Sequence, residues 1–379
     1  MNIKQSIEKV PGGLMVIPLL AGALINTIDQ LHIPFIMNFL KDIGVAATED
    51  GNYELLRIGG FSQALFKDGA LTLCALFLFC AGSQMNLRVG GRALKKGVLL
   101  TSSKYATGVI IGVLWGLLSD PVHGFLGLST MAIIAAMTNG NGGMFAALTG
   151  QYGNRSDVGA TAVLSLNDGP FFTLMALGMM GANFPFIAFI AVLLPILIGM
   201  LLGNLDKEIR SFLAAGEYLV IPFFAFALGT GMNLSNFFNP EVVGAGLVLA
   251  LMTIIFTGGM GALVFKLFRE KSKIAPWAEA STAGNAAATP AAIAAAATVA
   301  SGSGLMTASQ AQVYQDLVAV ATAQISISTI TTALLCPVAV ILVNNYQTKR
   351  GINGKVEFYG KIGDRNGEKE IAAGDVPVS

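Results

Sequence analysis

Charge is what this chain has least of. Asp, Glu, Lys and Arg make up 12% of its 379 residues against 54% apolar side chains, too little to solvate a globular surface. A water-soluble enzyme or scaffold is therefore excluded. Histidine is scarcer still. His32 and His123 fall in connections with no ligand partner at fixed spacing, which leaves neither a metal centre nor a histidine-based hydrolase. Cys74, Cys80 and Cys336 all lie in apolar runs without metal-ligand spacing and are expected as small buried side chains, with no disulfide framework. The net charge of +1 gives no reason to expect a nucleic-acid partner. The start, Met1-Asn2-Ile3-Lys4, has no extended positive region or small-residue cleavage site, so no removable signal peptide is expected.

What the chain has instead is apolar runs of bilayer length. Hydropathy predicts an all-α polytopic membrane protein with about ten transmembrane helices near 12–28, 62–84, 97–118, 126–150, 159–180, 184–204, 213–234, 241–266, 275–300 and 311–344. The ninth is rich in Ala and Thr and poor in Leu, which suits a helix packed inside protein. The tenth is too long for one straight crossing, so part of 301–344 should leave the bilayer or tilt. From about Lys349 the chain turns polar, and residues 346–379 read as a loosely structured tail. Basic residues cluster on alternate connections: Lys4 and Lys9; Arg88 to Lys96; Arg155, Lys207 and Arg210; Lys266 to Lys273; Lys349 and Arg350. That side is expected to be cytoplasmic, with both termini inside.

The sequence also repeats. Phe77 to Leu87 matches Phe224 to Leu234, both ending Met-Asn-Leu, and Ile17-Pro18-Leu19-Leu20-Ala21-Gly22 matches Leu194-Pro195-Ile196-Leu197-Ile198-Gly199. A third match, in the same order, pairs Thr138-Asn139-Gly140-Asn141 with Thr282-Ala283-Gly284-Asn285. Five spans per half is odd, so the second copy, 182–345, should be inverted relative to the first, 1–181. An insertion at about 29–61, carrying Asp29, Asp42, Glu49, Asp50 and Glu54, falls on the outer side as a hairpin or cap. Accidental recurrence of short Pro- and Gly-containing apolar motifs is the competing explanation.

The third match interrupts two apolar spans with amides and glycines. Paired helix breaks of this kind point to a mid-bilayer binding site. A broken helix leaves free N–H groups and a positive dipole end at its second half. Gly140, Gly142 and Gly143 let backbone approach a ligand, while Asn139 and Asn141 supply donors and acceptors; Thr282, Asn285 and Thr289 are their counterparts, with Pro290 suited to the first turn of the outgoing half-helix. The alternative is a pair of small-residue helix contacts whose amides bond only neighbouring backbone. The Gly-rich stretch lacks the Lys-Ser/Thr of a phosphate loop, and no cofactor or metal is implied.

Among charges inside spans, Lys104, Glu217 and Glu279 count within about two turns of the basic ends and Asp316 near the other end, so all four are expected to snorkel to the interface. No lysine or arginine is expected at mid-span. Asp168 alone counts to the middle of a span, where a carboxylate costs at least about 2.5 kcal/mol unless protonated, paired or hydrated. It is the candidate proton carrier, with Asn167 beside it; permanent neutrality, or pairing with Lys104, is the alternative. Gln324 and Ser326 are its polar counterparts in the second repeat.

Lys9-Val10-Pro11-Gly12-Gly13, Asn139-Gly140-Asn141-Gly142-Gly143 and Ser165-Leu166-Asn167-Asp168-Gly169-Pro170, with the repeat layout, resemble the bacterial 2-keto-3-deoxygluconate permease family over residues 1 to 345. The resemblance implies an inner-membrane, proton-driven symporter of that sugar acid. It also implies the five-plus-five inverted-repeat fold shared with bile acid sodium symporters and sodium/proton antiporters, whose fourth and ninth helices are discontinuous and cross. The Asn167-Asp168 pair is similar to one in the fifth helix of those antiporters. The expected function is alternating access, with substrate at Asn139, Asn141, Gly142, Asn167, Thr282, Asn285, Thr289 and Gln324. A sodium-coupled organic anion symporter or cation/proton antiporter on the same fold is the alternative.

Overall fold

The structure, a computed structural model, describes residues 2–9, 13–48, 50–84, 91–122, 124–164, 170–358 and 368–369. Among the described residues its apolar segments are helical apart from short breaks. After the short α1 (Ile3–Glu8) come α2 (Gly13–Gln30), α3 (Pro34–Asp42), α4 (Gly60–Phe66), α5 (Ala70–Gln84) and α6 (Gly91–Leu118). The middle of the chain forms α7 (Thr130–Thr138), α8 (Gly142–Tyr152), α9 (Arg155–Gly159), α10 (Thr161–Leu164), α11 (Phe171–Met179), α12 (Phe186–Leu205) and α13 (Lys207–Gly229). Then follow α14 (Pro240–Met252), a π-turn (Thr253–Thr257), α15 (Gly258–Leu267), α16 (Ile274–Ala278), a 3-10 turn (Gly284–Ala288), α17 (Thr289–Gly302) and α18 (Ala308–Thr348).

Six helices among the described residues are long and apolar enough to cross a bilayer: α2, α6, α12, α13, α14 through α15, and α18. The pair α4 and α5, bent by 61°, makes a seventh if counted as one crossing. The other three predicted spans are interrupted. Span 126–150 divides into α7 and α8, and 275–300 into α16, the 3-10 turn and α17; 159–180 contains α10 and α11, with 165–169 between them outside the described residues. Large apolar side chains remain exposed along the helices, including Phe186, Leu201, Leu205 and Phe212. That much uncovered apolar surface would aggregate in water and is the ordinary covering of a multi-pass membrane protein.

Two groups of helices are distinguished by packing. α5 packs along α12 and α13, and α13 along α2. These contacts run through glycines: a Cβ on Gly22 would overlap the Phe226 carbonyl, on Gly229 that of Leu19, on Gly82 that of Ile196, and on Gly199 that of Phe79. Backbones this close gain dispersion contact where no hydrophobic effect drives helices together. The four contacts exchange in pairs under the sequence repeat, since Gly22 matches Gly199, Phe226 matches Phe79, Gly229 matches Gly82, and Leu19 matches Ile196. In the second group, α6 packs on α7, α9, α10 and α15, and α18 packs on α14, α17 and α16. α17 is buried along most of its length, from Pro290 through Ile293, Ala294 and Ala297 to Ala300, as its Ala-rich composition predicts. The insertion carries α3, and its Asp29 is buried with Oδ1 accepting from Leu55 N at 2.8 Å.

The basic end is tied by charge. Lys96, buried in the first turns of α6, donates to Asp157 Oδ1 at 2.6 Å and Asn154 Oδ1 at 2.8 Å. Glu270 accepts from Arg92 at 3.0 Å and Lys95 at 2.9 Å. The first part of the tail, as far as Phe358, docks on the basic end instead of hanging loose. Its Glu357 is buried, accepts from Ser156 and lies 3.7 Å from Lys96 and 3.4 Å from Arg92. Gly354 lies so close to the Tyr152 carbonyl that a Cβ there would overlap it. A polar composition did not mean solvated here, because clustered cations at the start of α6 offer a carboxylate a partner.

Matched substitutions test the glycine contacts. Gly199→Ala should destabilise the detergent-purified protein by about 1–3 kcal/mol through overpacking against backbone. Gly244→Ala, which meets open space, should be neutral or slightly stabilising. Equal melting temperatures for the two variants would count against close backbone packing. A second test concerns acid. Burial pushes the Glu270 carboxyl up, but hydrogen bonds from Lys95 and Arg92 outweigh it and hold the group below its ordinary value of 4.5. Its stabilisation is therefore complete above that value and lost as pH falls through the lower folded value. Glu270→Gln should remove about 1 kcal/mol near neutrality, Lys95 and Arg92 being partly solvated, and flatten the acid limb of a melting-temperature profile.

Candidate substrate site at the paired helix breaks

α7 begins at Ser129, whose side chain accepts from Ala132 N at 3.1 Å, and every residue from Thr130 to Thr138 is buried. Asn139 turns the chain extended, with φ −113° and ψ 119°. Asn141 then caps α8, its Oδ1 accepting from Met144 N at 3.0 Å, a common helix-start arrangement. The second break runs from Glu279, after α16, to the 3-10 turn that leads into α17. The two breaks are bonded to each other. Ala283 N donates to Asn139 O at 3.0 Å, Asn141 N to Ser281 Oγ at 3.1 Å, and Asn139 Nδ2 to Asn285 Oδ1 at 3.1 Å.

α18 adds further partners for the second break. Thr282 N donates to Thr332 Oγ1 at 3.0 Å, Thr282 Oγ1 pairs with Ser328 Oγ at 2.8 Å, and Thr329 Oγ1 donates to the Ala283 carbonyl at 3.1 Å. Ser281, Ser328, Thr329 and Thr332 are absent from the sequence-based candidates. Their signal was the run Ser326-Ile327-Ser328-Thr329-Ile330-Thr331-Thr332, in which Ser328 and Thr332 share a helix face.

The sequence candidates separate by accessibility. Asn139, Thr282 and Thr289 are buried, whereas Asn141, Gly142, Gly284 and Asn285 are partly exposed and Gly143 is exposed. Gly142 borders open space, and Gly284 lies against Met15 of α2. The first turn of α8 is thus the more accessible part of the breaks. Gln324 is placed elsewhere: its Nε2 donates to the Gly127 carbonyl at 2.7 Å, in the connection before α7. Ser326 bonds Thr322 O within its own helix. Asn167 and Asp168 lie outside the described residues.

Two depth assignments are corrected. Lys104 and Glu279 do not snorkel. Lys104 is the fourteenth of the 28 residues of α6, both side chains are buried, and they form an ion pair at 3.4 Å. Lys104 Nζ also donates to the Glu279 carbonyl and, at 2.7 Å, to the Ser281 carbonyl. The error came from the helix start. Hydropathy began the third span at 97, but α6 begins at Gly91 because the ion pairs of Arg92, Lys95 and Lys96 hold the first turns helical. The Glu217 side chain lies outside the described residues, while Asp316 is exposed as expected.

Comparison with known proteins places this architecture. The family model described as 2-keto-3-deoxygluconate permease matches residues 4–43 and 52–349. The chain belongs to the 2-keto-3-deoxygluconate permease family. It is similar to 2-keto-3-deoxygluconate permease 1 of Salmonella typhimurium, 44% identical over 356 residues, 92% of this chain and 98% of the relative. It is also similar to the 2-keto-3-deoxygluconate permease of Bacillus subtilis, 34% identical over 349 residues (91% and 94%). The Escherichia coli O7:K1 permease is 32% identical over 368 residues (96% and 100%). Membership makes this a transport protein rather than an enzyme.

Because Asn141 is an N-cap, its replacement should read out in folding. Asn141→Ala is expected to cost about 0.5–2 kcal/mol of stability, with Asn141→Asp retaining most of it. Thermal unfolding in detergent checks this, and an unchanged Asn141→Ala midpoint would count against the cap.

Proposed function

We propose that this protein imports 2-keto-3-deoxygluconate across the bacterial inner membrane by proton symport through alternating access, with both termini cytoplasmic. The observation that carries the reading is the pair of bonded helix breaks beside partly exposed amides. A sugar acid joins one carboxylate to several hydroxyls. The amides of Gly142 and Gly143, at the start of α8, suit the carboxylate, and Asn141 and Asn285 suit the hydroxyls. The names of the relatives supply the substrate.

Two five-helix halves in inverted orientation, with α7–α8 and α16–α17 as the crossing discontinuous elements, fit the same observations. Reciprocal glycine contacts support the repeat, as do Ser83 Oγ bonding Cys80 O and Thr230 Oγ1 bonding Ala227 O at matching positions. The group α2, α5, α12 and α13 would be the scaffold, and the group around α6 and α18, with the breaks, the moving bundle. The sequence's candidate for the proton-carrying carboxyl is Asp168.

Uptake of labelled 2-keto-3-deoxygluconate into proteoliposomes, with an imposed inward proton or sodium gradient, tests the reading. Accumulation should follow the proton gradient, and dependence on sodium alone would install the sodium-coupled alternative. Asn285→Ala should weaken binding by about 1–3 kcal/mol. Asp168→Asn should bind without pH dependence and fail to accumulate substrate uphill; wild-type accumulation would remove Asp168 from coupling.

A further inference from the structure

The buried pair Lys104 and Glu279 has no part in the sequence's account of coupling, yet it sits directly against the first break. Gly140 faces it so closely that a Cβ there would overlap Glu279 Oε1 and press on Lys104 Nζ. Only backbone therefore separates the pair from the residues of the proposed site. Three further observations bear on what it does. Glu279 Oε2 is buried without a hydrogen-bond partner among the described residues. The crevice beside the pair, lined in part by Ser103, Thr257 and Gly261, is too narrow to admit a water molecule. Lys104 is held by two main-chain carbonyls, Glu279 O and Ser281 O, independently of the Glu279 carboxylate.

Those observations give the two partners different freedoms. An ion pair inside a low-dielectric region is weak support for stability, since matched apolar side chains serve as well, and an intramembrane pair is a functional candidate by default. A carboxylate with one oxygen lacking both donor and solvent gains by taking up a proton. Its partner loses the counter-charge but keeps its two carbonyl acceptors, so the ammonium stays charged and hydrogen-bonded. Glu279 is thus the member that can be neutralised. When it is, the Lys104 charge stands uncompensated behind Gly140, facing the break that also supplies the α8 amides. The other titratable group facing Glu279 among the described residues is the Cys336 thiol of α18, which donates to the Trp277 carbonyl at 3.0 Å; the π-turn and α15 present only Thr257 and Gly261.

We infer that Glu279 carries the coupled proton and that Lys104, unmasked by its protonation, is the positive charge that draws the substrate carboxylate to the break. The inference rests on the proton-symport reading and moves the carrier from Asp168 to Glu279. The cycle balances in charge: a proton from the outer phase bonds to Glu279, the acid anion joins the unmasked Lys104 field, and both leave inward, restoring the neutral pair. Proton and anion binding favour each other, and by linkage each strengthens the other equally.

The experiment is equilibrium binding of 2-keto-3-deoxygluconate to the full chain in detergent from acid to alkaline pH, beside gradient-driven uptake in proteoliposomes. Wild-type affinity should fall roughly tenfold or more as pH rises. Glu279→Gln should bind at alkaline pH as tightly as wild type does in acid, with no pH dependence and no uphill accumulation. Lys104→Met should bind at least tenfold more weakly than acid wild type at every pH. The double variant Lys104→Met/Glu279→Gln leaves no unpaired charge and guards against misfolding of the single variants; it should bind weakly and without pH dependence. A wild-type pH profile in Glu279→Gln or in the double variant overturns the inference and reduces the pair to a structural tie. A flat profile in Asp168→Asn alone returns the proton to Asp168 and leaves symport standing. Wild-type protein that neither binds the acid nor follows a proton gradient overturns the symport reading and this inference with it.

Discussion

Inside a bilayer a peptide group released from its helix has no water to turn to, and that constraint organises this protein. Two helices are broken inside a largely buried part of the protein, and each break takes hydrogen bonds from the other. The exchange Ala283 N to Asn139 O is the most economical form of that answer, because the two residues match in the repeat and each gives the other what its own helix has withdrawn. The hydroxyl ladder of α18, the Lys104 ammonium and the Asn141 cap complete the set. Removing any of them leaves a dry polar group rather than a hydrated one, which is why so many polar side chains converge on one level of an otherwise apolar molecule.

The glycine-lined contacts of α2, α5, α12 and α13 answer a different need. Lipid is as apolar as leucine, so these helices gain little by hiding side chains from it and must gain by close approach instead. Alanine-rich α17 does the same within the other group. The group around α6 and α18 is thereby rich in hydrogen bonds, and the group α2, α5, α12 and α13 rich in backbone contact. That division suits one body that holds a polar solute and another against which it slides.

Much of this was legible in the chain. Apolar length gave the six long helices and the bent pair α4–α5, and Asn139-Gly140-Asn141 and Thr282-Ala283-Gly284-Asn285 marked both breaks, since glycine and amides inside an apolar run have few other uses. Three things were not legible, each for a physical reason. The Lys104–Glu279 pair joins positions 175 apart, beyond the reach of any local window, and hydropathy placed Lys104 too near a helix end by treating the ion-paired start of α6 as loop. Gln324 looked like a site residue because it is polar and deep, yet an amide can serve equally well by pinning a distant carbonyl, as it does at Gly127. The tail looked solvated because composition records charge and not the presence of a buried partner for Glu357.

The length of α18 has a mechanical meaning. At 1.5 Å per residue its 41 residues, with Pro337 among them, reach about 60 Å, twice the hydrocarbon thickness, so one continuous helix is long enough to extend beyond both faces of a bilayer. Its Thr329 grips the second break, and about 27 Å further along its Gln347 accepts from Lys273 N at 3.1 Å and from Ile352 N at 3.0 Å. A rod pivoted at its middle is a lever. A tilt of about 10° at the break would displace the Gln347 end by roughly 5 Å, given that rise per residue. A shift the size of a hydrogen bond at the break would in this way be enlarged to the width of a side chain at the far end, where Ile352 rests on the lever's tip.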